Sequence, residues 1–277
     1  MTTHIMITGA TGFVGRQVLN ALSDSNVKIT AVVREGKPMP DWWGDVDLTV
    51  TSPDLFKEGE EWWAEICQNF DIVVHLAWYA EPGKYLMSLK NMDCLSGTLN
   101  LAKGAAKAGV RRFVGIGTCF EYDLSDGMLS VDTPLKPATP YAGAKAAACM
   151  MLSQWLPLHQ VGFAWCRLFY LYGQGEDVRR LVPYLRTRLR AGKPAELTAG
   201  IQIRDFMDVA EAGEQIAKIV LGNRQGPVNI CSGIPVTVRQ LAEHIADEYG
   251  RRDLLRFGAR PENLVDPPCV VGIKDEI

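Results

Sequence analysis

Through the first 170 residues, short continuous apolar runs alternate with stretches whose apolar positions recur at helical spacing. HIMITGATGFVGRQVLNAL (residues 4–22) passes from such a run through three glycines into a helical pattern. VKITAVVR (27–34), DIVVHLAW (71–78), RRFVGIGT (111–118) and FAWCRLFYLYG (163–173) are further runs, and helical spacing fills most of 90–108. A strand with one wet face alternates apolar and polar residues, whereas continuous runs belong to strands covered on both faces. The predicted fold class is therefore α/β, a doubly wound parallel sheet with helices on either side. The stretch 36–66 breaks the pattern and carries two aromatic pairs, Trp42–Trp43 and Trp62–Trp63, read as packing at an irregular edge. Past residue 172 the periods become mixed, which predicts a second, smaller C-terminal unit over 171–277, with 204–222 returning to the first unit, 1–170.

Two of the helical stretches, MDCLSGTLNLAKGAAK (92–107) and PYAGAKAAACMMLSQW (140–155), are rich in Ala, Gly and Met and poor in charge. Helices apolar on more than one face require burial on more than one side. One side can lie on the sheet and the other on a second copy of the chain, so a homodimer is expected.

Composition mainly narrows the choices. A chain of 277 residues with net charge −3 and interspersed signs shows no electrostatic footprint for nucleic acid or an anionic membrane, so neither is an expected partner. Seven cysteines without CxxC pairs, most of them in apolar runs, read as reduced thiols of a cytoplasmic protein. The four histidines show no ligand spacing, and no metal is expected. No apolar run is long enough to span a bilayer, and the sequence enters a strand without a basic stretch followed by an apolar one, which predicts no secretory leader.

Candidate chemistry begins at ITGATGFVG, where Gly9, Gly12 and Gly15 lie between the first strand and the first helix. Glycines at this spacing allow a tight turn, close approach to a pyrophosphate and close packing of helix on strand, and the helix N-terminus offers unpaired N–H groups. Dinucleotide binding and a Rossmann-type sheet follow. At the end of the second strand, where an acid would hold the ribose hydroxyls of NAD, stand Val33 and Arg34. A guanidinium there suits the extra phosphate of NADP, so NADPH is favoured, with NAD possible beside it. TPYAGAK opens a helix with Thr139 as N-cap and Pro140 in its first turn. It places Tyr141 and Lys145 four apart on one face, where an ammonium can lower the pKa of a phenol for acid–base work. Finally, GIGTCFEY (115–122) runs a buried strand out into a threonine, a thiol, an aromatic ring and a carboxylate.

Taken together, TGATGFVG, DIVVHLA, SGTLNLAKGAAKAGVRRFVGIGT, PYAGAK, RLFYLYGQG and IRDFMDV resemble the extended short-chain dehydrogenase/reductase family, in its nucleotide-sugar epimerase, dehydratase and reductase branch. The resemblance implies a catalytic set of Thr118, Tyr141 and Lys145, the threonine orienting a sugar oxygen and the lysine also holding the nicotinamide ribose. It implies cofactor contacts at Gly9, Thr11, Gly12, Phe13, Val14 and Gly15, and further ones at Arg34, Leu76 and Ala77. Substrate contacts are expected at Thr118, Cys119, Glu121, Tyr170 and Arg204, with Arg204 against the nucleotide diphosphate and Glu121 either on a sugar hydroxyl or in solvent. Tyr170 and Cys94 replace asparagines that are common in the family. Dehydratases of the family carry Asp and Glu directly after the threonine; Cys119 and Phe120 stand there, which argues against dehydration. The implied activity is NADPH-dependent reduction of an NDP-4-keto-6-deoxyhexose. A 4-epimerase with tightly bound NAD is the alternative, and a non-catalytic dinucleotide-sensing regulator is a remote one.

Overall fold

A computed structural model of the chain describes residues 2–36, 46–262 and 266–275; Trp42 and Trp43 lie outside them. In chain order the strands of the larger sheet are β1 (Thr3–Thr8), β2 (Val27–Arg34), β3 (Leu48–Ser52), β4 (Ile72–His75), β5 (Arg112–Thr118), β7 (Gly162–Leu168) and β11 (Gly226–Ile230). They pair in the order β11-β7-β5-β4-β1-β2-β3, every pair parallel. Fully buried strands explain the continuous apolar runs: Ile5, Ile7, Ile29, Val74, Val114 and Ala164 face one core, and Met6, Val32, Val73, Phe113, Phe163 and Trp165 the other. Each Val, Ile, Met or Phe side chain among them contributes about 1.5–3 kcal/mol by leaving water.

The helices are α1 (Phe13–Ser23), α2 (Glu60–Ile66), α3 (Lys90–Lys107), α4 (Pro140–Leu158), α5 (Leu181–Arg190), α6 (Val209–Leu221) and α7 (Val238–Asp247). Helices α1 and α6 pack together over one face of the sheet; α2, α3 and α4 cover the other. Thr139 caps α4 by accepting the N–H of Ala142 at 3.2 Å, and Pro140 begins the helix, as its sequence predicts.

Within the stretch 36–66, the described segment 46–66 is more regular than its composition suggests. It supplies edge strand β3 and helix α2, where fully buried Trp63 meets Trp62 edge-to-face at 4.7 Å. The match is close because Gly104 of α3 has no side chain: a Cβ there would lie 2.4 Å from Trp63 Cβ. The two-residue alternation that marks a strand is weak in β3 because an edge strand is polar and half-buried.

FAWCRLFYLYG is not one strand. It divides at Phe169, β7 staying in the large sheet while β8 (Tyr170–Tyr172) pairs with β10 (Ile203–Asp208). A second sheet forms in the order β12-β10-β14-β6, from β6 (Met128–Leu129), β12 (Pro235–Thr237) and β14 (Cys269–Gly272) around β10. Two short strands, β9 (Ala195–Glu196) and β13 (Leu255–Arg256), pair beside α5 and α7, which enclose their own apolar core. All seven cysteines are free thiols. Among the described residues, no helix is long and apolar enough to cross a membrane.

Candidate active site

In the large sheet the strand order reverses between β1 and β4, and the loops leaving their C-terminal ends diverge into a crevice. A cavity of about 600 Å³ occupies it, a size usual for a small-molecule site.

One wall is the glycine turn. Gly9 has φ of +75°, and a Cβ on it would come within 2.5 Å of the Ala77 nitrogen; one on Gly15 would come within 2.1 Å of the Gly9 carbonyl. Only bare backbone fits at either place, which lets β1, α1 and the loop after β4 approach closely. Gly12 precedes helix α1 without a side-chain cap and no acid stands in the first turn, so the first N–H groups of the helix have no side-chain partner where Phe13, Val14 and Gly15 line the cavity. These features fit the pyrophosphate of a dinucleotide. Thr11, Phe13, Val14, Leu76 and Ala77 line the same wall. Arg34 is exposed at its far edge, at the end of β2.

Beneath this wall β1 and β4 are joined by a histidine. Thr8 Oγ1 lies 2.8 Å from His75 Nδ1, and Nε2 lies 2.9 Å from Thr98 Oγ1 on α3. With both nitrogens used and no water access, the ring is held neutral, its pKa pushed down to about 3 by burial and by the charge of Lys145.

The opposite wall carries Thr118 at the end of β5, Tyr141 and Lys145 one turn apart on α4, and Cys119 and Tyr170. Tyr141 is half-buried and lines the cavity together with Thr118. The sequence predicts that Lys145 lowers its pKa. Instead the phenol is raised well above the usual range, first by burial and then by the nearby Tyr85 and Glu121, so it keeps its proton. Lys145 is buried and donates to the Ile116 carbonyl at 2.5 Å. Burial pulls its pKa down to about 7, with Glu121 and Cys94 opposing.

Two predicted substrate contacts are not brought to the cavity. Glu121 faces neither a ligand nor solvent: it is fully buried, with Oε1 accepting from the Thr118 N–H at 2.8 Å and Trp165 Nε1 at 3.0 Å, and Oε2 paired with Arg167 at 2.8 Å. An unpaired carboxylate could not stay at such depth, and Arg167 on β7 meets that need. Arg204 is also buried; it pairs with Asp266 at 2.7 Å and lies behind the Tyr170 ring, 5.3 Å from its centroid. Cys119 is buried as well, its thiol pushed up to about 12 by burial, so it is no nucleophile at neutral pH.

The sequence reading missed the aromatic frame around the reactive pair. Trp78 lies 3.8 Å below Lys145 Nζ and is held by a 2.8 Å bond from its indole N–H to Asn91. Tyr85 meets the Tyr141 ring edge-to-face at 4.8 Å. The one available signal was an aromatic residue directly after the β4 run HLA, at a strand end that faces the crevice. Glu176 and Arg180 were missed too; both line the cavity, and burial pushes the Glu176 carboxyl up to about 7.

The chain is similar to known proteins over nearly its whole length. The family described as NAD dependent epimerase/dehydratase matches residues 5–231. The chain is 24% identical to dTDP-6-deoxy-L-talose 4-dehydrogenase (NAD(+)) of Aggregatibacter actinomycetemcomitans, over 98% of this chain and 100% of that protein. It is 27% identical to a dTDP-glucose 4,6-dehydratase of Streptomyces griseus, over 90% of this chain and 80% of that one. Among solved structures, UDP-N-acetylglucosamine 4-epimerase from Methanobrevibacter ruminantium M1, in complex with UDP-N-acetylmuramic acid, superposes with a TM-score of 0.86 at 21% identity, covering 99% of this chain and 90% of that one.

Proposed function

The chain belongs to the NAD dependent epimerase/dehydratase family, and on that premise we propose that it reduces an NDP-4-keto-6-deoxyhexose at C4 with NADPH. The family match and relatives that act on nucleotide sugars support a nucleotide-sugar-modifying NAD(P)-dependent enzyme. The observation that carries reduction at C4 is the placement of Tyr141. Its side chain lines the cavity with Thr118 and Lys145, and Cys119 and Phe120 occupy the places where a dehydratase of this family has its acid pair. A protonated phenol is what a carbonyl needs as it is reduced. A relative named for its 4-dehydrogenase action on a 6-deoxy sugar nucleotide supports C4 as the reacting carbon.

When bound, the nicotinamide supplies the hydride. The glycine turn and the α1 N-terminus hold the pyrophosphate, and Arg34 meets the 2′-phosphate. Thr118 orients the C4 oxygen by hydrogen bonding, Tyr141 delivers a proton to that oxygen, and Lys145 holds the nicotinamide ribose. We also propose a homodimer through α3 and α4, supported by exposed Met92, Met150, Met151 and Leu158 on these adjacent helices.

The test is nicotinamide absorbance with a freshly made NDP-4-keto-6-deoxyhexose, using NADPH and NADH in separate runs. Stoichiometric loss of NADPH with formation of the 4-hydroxy sugar is expected. No net loss, with an epimerised sugar appearing once catalytic NAD is added, assigns a 4-epimerase instead.

A further inference from the structure

The Glu121–Arg167 pair lies directly beneath the reactive groups, and the assigned chemistry does not use it. Both side chains are almost wholly enclosed, at 0% and 3% exposure. The two carboxylate oxygens have separate tasks. Oε2 takes the Nε–H of Arg167, whose guanidinium also lies over the Tyr122 ring at 4.4 Å. Oε1 takes the Thr118 N–H and the Trp165 indole N–H, and Lys145 Nζ lies 5.7 Å from the centroid of that same Trp165 ring. Backbone room for this arrangement comes from Gly117, where a Cβ would sit 2.2 Å from Trp165 Nε1 and 2.4 Å from Glu121 Oε1. A buried charge, a dedicated counter-ion and a glycine that clears space for both form a built feature.

We propose that Glu121 is a positioning residue for the reaction, fixing the turn that presents Thr118 and holding a buried negative charge behind Lys145 and Tyr141. This rests on the assignment of those three as the catalytic set. The charged and titratable groups facing Lys145 are His75 from β4, which is neutral, Cys94 from α3 and Glu121 from the turn after β5. Tyr141 is faced by Tyr85, Cys119 and Glu121. Cys94 is itself a thiol whose pKa burial raises, so it carries no charge at neutral pH. Among these groups Glu121, ion-paired with Arg167, is the one that bears on both Lys145 and Tyr141. It favours the ammonium of Lys145 and disfavours the phenolate of Tyr141, and both effects hold the site ready to give a proton rather than take one.

Glu121→Gln keeps an acceptor for the Thr118 N–H and removes the charge. Because it strands the Arg167 guanidinium, it is paired with the double variant Glu121→Gln/Arg167→Met, which leaves no buried unpaired charge. The Lys145 midpoint is read by NMR of protein labelled with 13C-lysine, assigned with Lys145→Arg. In both variants it is expected to fall by about 1 pH unit, the lower end of the shift a close opposite charge produces. The alkaline limb of kcat is expected to move down with it while the KM for NADPH holds. An unchanged midpoint in the folded double variant overturns the proposal. Wild-type consumption of NADPH judges the reaction separately: its absence would sink the ketoreductase reading, and the Lys145 midpoint would still decide the role of Glu121.

Discussion

Tyr141 carries the sharpest expectation at the level of single residues. Positioned proton transfer contributes about 10²–10⁴-fold to a rate. Tyr141→Phe should therefore lower kcat by that order and leave NADPH affinity nearly intact, because in the proposed mechanism the phenol serves the sugar oxygen and the ring still packs on Tyr85. Stopped-flow reduction with parallel cofactor titration checks it; near-normal turnover would remove the mechanism. Arg34→Ala should weaken NADPH binding about ten- to a hundredfold, the worth of a charged hydrogen bond, and NADH binding hardly at all. Equal losses for both cofactors would remove the basis for NADPH. Local pattern made the glycine turn and the TPYAGAK helix start legible, since each is a rule about neighbours in sequence. Glu121 and Arg204 were misplaced because their partners, Arg167 and Asp266, come from distant segments, and no local pattern reports an ion pair.

Among the elements, the junction of β1, β4 and α3 depends on His75 remaining neutral between Thr8 and Thr98. The unfolded chain takes up a proton at this ring below its ordinary pKa of 6.5, whereas the folded chain refuses it until about 3. The folded pKa is the lower of the two, so this contribution is complete above 6.5 and is lost as pH falls through the window, by up to ~1.4 kcal/mol per unit. Urea unfolding at descending pH should show that slope in the wild type and a shallower one in His75→Gln. Identical slopes would mean that other groups govern the acid limb. The parallel sheet was legible because burial on both faces leaves long apolar runs. Strand β3 and helix α2 were not, because an edge element is wet on one side and its apolar positions are few.

For the molecule as a whole, the exposed methionines of α3 and α4 lead to an assembly experiment. Met150→Glu together with Met151→Glu should convert a sedimenting dimer into a monomer that keeps its fold. A wild type that sediments as a monomer at micromolar concentration would end the dimer proposal. A different consequence follows from strand β11, which completes the large sheet only at residues 226–230, after α5, β9, β10 and α6 have intervened. On a ribosome adding ~5–20 residues per second, β7 emerges several seconds before the strand that covers its edge and before α6 can cover α1. During that interval the nascent chain presents an unpaired strand edge and an open apolar face, the features that chaperones recognise and that drive aggregation. Yield in a cell should therefore depend on the pace of translation between β7 and β11 as much as on the stability of the finished protein.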